Sequence, residues 1–200
     1  IYLVWMAKDM AGSKSCCLMA NHVGGWSLSY FGMMFLMWAV MMVGMMVPSA
    51  VPMILIYAAV AKQAKSQGTP IASAHAFTAG YIFMWTVFSL VVTLAQWQLD
   101  KLALLSPMMV SNSPKLGAGL LIAAGIYQWL PLKNSCLKHC RSPFHFISNN
   151  WKNGNWGAFL MGISHGVFCI GCCWMLMLLL FVGGVMNLLW IAAITIFVLL

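Results

Sequence analysis

Carboxylates are almost missing from this sequence: its 200 residues hold Asp9, Asp100 and no glutamate. No apolar run carries one in its interior. That argues against an enzyme with its own acid–base pair, and against a cage for Mg²⁺ or Ca²⁺, which want oxygen ligands. Charge of either sign is scarce too. Only 6% of residues are charged, against about 25% in soluble domains, and a soluble chain this apolar could not cover its own core. A nucleotide-binding motif is also lacking, so any transport would run without this chain hydrolysing ATP. Internal repeats and an attached soluble domain are absent as well, and the expectation is a single transmembrane domain over residues 1–200.

What is there is apolar, basic and rich in sulfur. Hydrophobic residues make up 63% of the chain, and ten Lys and Arg against two Asp give a formal charge of +8. On a soluble protein that excess would point to nucleic acid. Here the cations lie in short loops between apolar runs, with no dense cluster. They read as topology signals and anionic-lipid contacts, and the expected partner is the lipid bilayer, not nucleic acid.

A span needs roughly 20 apolar residues. Five runs qualify: one from near Ser29 to Ala61, then about 73–99, 116–131, 156–181 and 185–200. The opening IYLVWMA is too short and reads as the tail of one more amino-terminal helix. The expected fold is thus all-α, a polytopic transmembrane bundle of about five full spans plus that tail. The chain starts at Ile and stops inside an apolar run, so it is expected to continue beyond both ends. Lys62, Lys65, Lys133, Lys138, Arg141 and Lys152 fall on one face; Lys8, Lys14, Lys101 and Lys115 fall on the other with both aspartates. The positive-inside rule puts the first face in the cytoplasm. Gly183–Gly184 predicts a tight hairpin between the last two helices, and Asn187 is expected to bond to a neighbouring helix. Pro48 and Pro52 each free a carbonyl four residues earlier, at Gly44 and Pro48, which bends the first span. Ser49 could partly satisfy those groups.

Cysteine and methionine supply the chemistry. There are 7 Cys and 18 Met, and the cysteines cluster in a way unlike a secreted disulfide framework. In the segment 162–181, GISHGVFCIGCCWMLMLLLF, steps of four link Met161, His165, Cys169, Cys173 and Met177, with Cys172 beside them. Residues four apart share a helix face, but the stripe drifts, so all five cannot meet one ion; His165, Cys169 and either Cys172 or Cys173 could. The first span has its own stripe, Met33, Met37, Met41 and Met45, flanked by Met34, Met42 and Met46. Cys136 and Cys140, with His139 between them, form a loop pair that could take a metal on the cytoplasmic side. Cys16 and Cys17, near His22, could capture one on the other side. His75 reads as an interfacial residue.

Thioether, thiolate and imidazole suit Cu(I), and thiolates also suit zinc, which is the less favoured ion because a structural site takes four ligands. The alternatives are bland: methionine as flexible filler, free cysteine as a small hydrophobe, histidine as a hydrogen-bonded interior residue. An ionisable group inside a span is costly and functional by default, which favours metal or redox chemistry for the 162–181 group.

Three stretches, MWAVMMVGMMVPSAVPMI (37–54), YQWLPLKNSCLKHCRSPFHF (127–146) and GISHGVFCIGCCWMLMLLLFVGGVMNLLW (162–190), cover about a third of the chain. At these residues it resembles a bacterial family of predicted metal-binding integral membrane proteins without an assigned function. The resemblance implies a bundle of six or so helices in the bacterial inner membrane, with an extra amino-terminal helix, and lends no reaction. Three functions remain open. The first is a soft-metal protein, most simply for Cu(I), serving homeostasis or delivery and exchanging ions with a metallochaperone. Its ligands would be His165, Cys169, Cys172, Cys173, Met37, Met41 and Met45, with Cys136 and Cys140 as an inner-face acceptor. The second is an accessory subunit packed against other membrane subunits, and the third is a membrane thiol redox protein.

Overall fold

The computed structural model describes residues 26–66, 73–102, 114–131, 133, 136, 140, 146–147, 151–152, 154–185 and 187–199. Five helices carry the architecture: α1 (Leu28–Ser66), α2 (Ala74–Lys101), α3 (Pro114–Trp129), α4 (Gly154–Leu178) and α5 (Leu188–Leu199). A further turn, Leu180–Gly183, prolongs α4. The fold among these residues is all-α, as expected.

Local chemistry sets the helix ends. The Ser27 hydroxyl accepts from the Tyr30 amide at 3.2 Å, and the Ser73 hydroxyl accepts from the His75 amide at 3.2 Å, each satisfying one orphan donor of a first turn. His75 therefore sits in the opening turn of α2. The Ser73 amide donates to Asn155 Oδ1 at 3.1 Å and ties the start of α2 to the start of α4. At the far end of α4, Gly184 adopts φ 90°, where only glycine is unstrained. The chain then folds back, and the Trp190 indole donates to the Leu179 carbonyl at 3.0 Å. Asn187 bonds back to the preceding helical turn, its Nδ2 donating to the Gly183 carbonyl at 3.4 Å. Its Oδ1 accepts from the amides of Leu189 and Trp190 and caps α5, the role that a short polar side chain takes just before a helix.

The expectation of five full spans is corrected. Among the described residues, three helices are long and apolar enough to cross a membrane, over Leu28–Gln63, Ala74–Lys101 and Gly154–Gly183. α3 has 16 residues and α5 has 12, so at 1.5 Å per residue they reach about 24 and 18 Å against a hydrocarbon core of about 30 Å. The run at 116–131 is cut short because Pro131 disfavours helix at Leu130, and the Leu130 amide turns back to the Tyr127 carbonyl at 3.2 Å. Residues 1–25, including IYLVWMA, lie outside the described residues.

α2 is the central helix and pairs extensively with both α1 and α4. Its seam with α4 is built on glycine. A Cβ on Gly80 would stand 2.2 Å from the Phe159 carbonyl oxygen, and one on Gly162 would stand 2.0 Å from the Phe77 carbonyl oxygen. Each helix thus lets the other's backbone into its own groove, the small-residue packing typical of membrane helices. α1 and α4 meet differently, through long side chains: Trp38 lies 5.3 Å from Phe181 between ring centroids, and Met34, Met37, Met41, Met42, Met45 and Met46 share one buried cluster with Cys169, Cys172, Cys173 and Met177.

The buried methionines follow steps of three and four, not four alone. A strict step of four advances 40° too far each time, so Met37, Met41 and Met45 are buried while Met33, at the start of that row, is 48% exposed. A second cluster, with Met161, Phe77, Tyr57 and Phe146, fills the other end. If the glycine seam sets the register, Gly162→Ala should destabilise the protein by about 1–3 kcal/mol, the usual cost of overpacking. Gly119→Ala, where a Cβ meets nothing within 4 Å, should leave the thermal midpoint in detergent unchanged or slightly raised; equal midpoints for the two variants would contradict the seam.

Candidate metal centre

Cys169 and Cys172 stand three residues apart on α4, on neighbouring turns of one face. The Cys172 thiol donates to the Cys169 carbonyl at 3.1 Å, which turns its sulfur back towards Cys169. The segment joining α3 to α4 brings a third sulfur: Cys140 Sγ lies 4.0 Å from Cys172 Sγ. The sulfurs of Cys140, Cys169 and Cys172 all fall within 4.8 Å of one another, two of them buried and Cys140 half-buried. A metal–thiolate bond is about 2.3 Å long, so three sulfurs around one planar three-coordinate ion stand about 4 Å apart. The spacing fits a single soft ion with little rearrangement.

The loop pair and the α4 group, which the sequence kept apart, therefore converge in part. Cys140 joins the α4 thiols. Cys136 reaches α4 one residue earlier, with its sulfur 3.0 Å from where a Cβ on Gly171 would be. Cys173 Sγ lies 3.3 Å from Cys172 Sγ but is not one of the three mutually close sulfurs. The five cysteines described, Cys136, Cys140, Cys169, Cys172 and Cys173, are all free thiols.

His165 sits one turn before Cys169 and is 3% exposed. Its ring is surrounded by Phe77, Tyr81 and Phe146 at centroid distances of 5.9, 5.7 and 5.6 Å, and its Nδ1 has no hydrogen-bond partner among the described residues. It is not part of the three-sulfur group. Met37, Met41 and Met45 are buried in the cluster that holds the thiols. Cys16, Cys17, His22 and His139 lie outside the described residues.

Two residues not singled out in the sequence complete the surroundings. The Tyr81 hydroxyl donates to the Met46 carbonyl at 3.1 Å and lies 3.3 Å from Cys169 Sγ. Its one proton is committed to Met46, so the Cys169 thiol donates to the phenol oxygen. One hydroxyl on α2 thereby links α1 and α4 beside the centre. Ser49 donates to the same Met46 carbonyl at 2.7 Å, instead of to the carbonyls freed by Pro48 and Pro52, and α1 stays helical through both prolines. Further along α2, Gln96 Oε1 accepts from the Trp38 indole at 2.6 Å while its Nε2 lies 3.9 Å from Met34 Sδ. The signal was legible: Ser89, Thr93 and Gln96 form a polar stripe on an apolar helix.

Both thiols of the connecting segment, which lies outside the three spans, are held above the ordinary cysteine range. Cys140 is raised by hydrogen bonds with the Cys169 and Cys172 sulfurs and then by burial; Cys136 is raised by burial and then by the Cys172 sulfur. Raised thiols stay protonated at neutral pH, and a metal ion binds the thiolate, so binding must displace protons. Apparent Cu(I) affinity should rise steadily from about pH 6 to pH 8, with protons released to the buffer; a flat profile would contradict ligation by these thiols. Tyr81→Phe keeps the ring and removes the hydroxyl. It should cost about 1 kcal/mol, read as a lower thermal midpoint in detergent, and an unchanged midpoint would rule out the link between α1 and α4.

Comparison with known proteins gives one result. No curated protein and no solved structure matches the chain, but the family model described as copper chaperone, PpoB2, matches it over residues 35–200. That range takes in all three thiols of the centre, Tyr81, and the methionine seam from Met37 onward. The chain belongs to the PpoB2 copper chaperone family.

Proposed function

We infer that this protein holds Cu(I) as cargo between Cys140, Cys169 and Cys172 inside a membrane bundle, and that it serves copper delivery. The observation that carries this reading is the convergence of three thiols within 4.8 Å in an apolar cluster that also holds six methionines of α1. Soft ligands select soft ions, and a three-sulfur set leaves zinc one ligand short of its usual four. Family membership points to the same ion.

The methionine seam gives delivery a direction. Neutral thioethers bind Cu(I) weakly and release it readily; thiolates hold it more tightly. Met37, Met41 and Met45 would pass an ion along α1 towards Met46, whose carbonyl is tied through Tyr81 to Cys169. His165 and Cys173, adjacent to the three thiols along α4, would take part as auxiliary ligands during transfer. Three helices long and apolar enough to cross a bilayer support a membrane location, which we take to be the bacterial inner membrane. The partner that receives the ion would itself present soft ligands, as a metallochaperone does.

Protein purified without chelators from copper-replete cells should carry close to one copper per chain by elemental analysis. Cys169→Ser and Cys140→Ser should each weaken Cu(I) binding beyond roughly 100-fold, the upper end of what loss of an outer-shell partner costs. Metal-free wild-type protein would reject the proposal, and so would full copper occupancy in either variant.

A further inference from the structure

Two of the three thiols are fixed by α4 itself, but the third arrives on a separate segment, and something must register it. Gly171, between Ile170 and Cys172, is where that segment touches the helix. A Cβ there would stand 3.0 Å from Cys136 Sγ and 3.8 Å from Cys136 Cβ. A carbon meeting a sulfur at 3.0 Å is tighter than van der Waals contact allows, so the Cys136 thiol occupies the space that any other residue at 171 would fill. The same glycine is gripped from α3 as well, because the Tyr127 hydroxyl donates to its carbonyl, and the Tyr127 ring packs edge-on against Trp174 at 5.6 Å. Glycine inside a helix is disfavoured relative to alanine, and here it leaves a notch.

We propose that Gly171 is a positioning residue: its missing side chain leaves the notch that accepts the Cys136 thiol, so that the chain can lie close enough to α4 for Cys140, four residues on, to reach Cys172. This rests on the Cu(I) reading above.

The test uses the full chain in detergent and four proteins: wild type, Gly171→Ala, Cys136→Ala and the double variant. Copper-edge X-ray absorption on Cu(I)-loaded protein reads the number of sulfur ligands, a competition titration reads affinity, and peptide mapping reads the alkylation rate of Cys140 in metal-free protein. Wild type and Cys136→Ala should both bind with three sulfurs. Gly171→Ala should fall to two sulfurs, lose about 10–100-fold in affinity, the range for residues that orient ligands, and alkylate faster at Cys140. The double variant should return towards wild type in all three readouts, because removing the thiol removes the clash.

Three sulfurs and unchanged alkylation in Gly171→Ala would overturn the proposal. So would a loss that the double variant does not rescue, or loss of a sulfur ligand in Cys136→Ala alone, which would make Cys136 a ligand and not a seat. If wild type takes up no copper, the Cu(I) reading fails. The alkylation rates then decide the seating on their own, with faster labelling in Gly171→Ala and its reversal supporting it and equal rates overturning it.

Discussion

The close approach of α2 and α4 is the constraint on which the rest depends. Each helix places a glycine against the other's backbone, Gly80 against Phe159 and Gly162 against Phe77, at distances that leave no room for a Cβ. In a lipid-like interior, where apolar side chains gain little by leaving lipid for protein, such backbone contact is a main source of helix–helix adhesion. It also fixes register. With Gly80 against α4, the next residue, Tyr81, is buried and meets Cys169, and its hydroxyl reaches across to Met46 on α1. A one-residue slip would turn that hydroxyl away from both.

The centre follows from this register together with one further contact. Cys140 reaches the α4 thiols from outside α4, with its sulfur 4.0 Å from that of Cys172. The surrounding methionines add polarizable sulfur without added charge. Carboxylates are absent from the described interior, which leaves the cluster without the ligands that hard cations prefer. α1 and α4 are separated by long, flexible side chains and not by touching backbones.

Much of this was legible in the sequence and some was not, for physical reasons. The α4 row from Met161 to Met177 is buried throughout, because α4 is packed on one side by α2 and on another by the connecting segment. The methionine face of α1 was legible as a stripe, although the strict step of four included the exposed Met33 and missed the three–four alternation that follows a real helix. The length of α3 was overestimated, since hydropathy does not register a proline stop at 131, and the start of α5 was placed too early, since hydropathy does not register a cap at Asn187. Cys140 was read as part of an inner loop pair because sequence spacing carries no information about which helix a connecting segment lies against. Tyr81 escaped notice for the same reason: a tyrosine in an apolar helix declares its partner only once the helices are packed.

The central claim is that Cys140, from the connecting segment, stands beside Cys172 of α4 in the folded protein. A variant retaining only these two cysteines, treated in detergent with a short bifunctional thiol reagent that fluoresces only after joining two sulfurs, tests it most directly. The account predicts rapid intramolecular bridging, confirmed by a cross-linked peptide pair and abolished by unfolding. Labelling of each thiol separately, with no bridge formed in the folded protein, would contradict it.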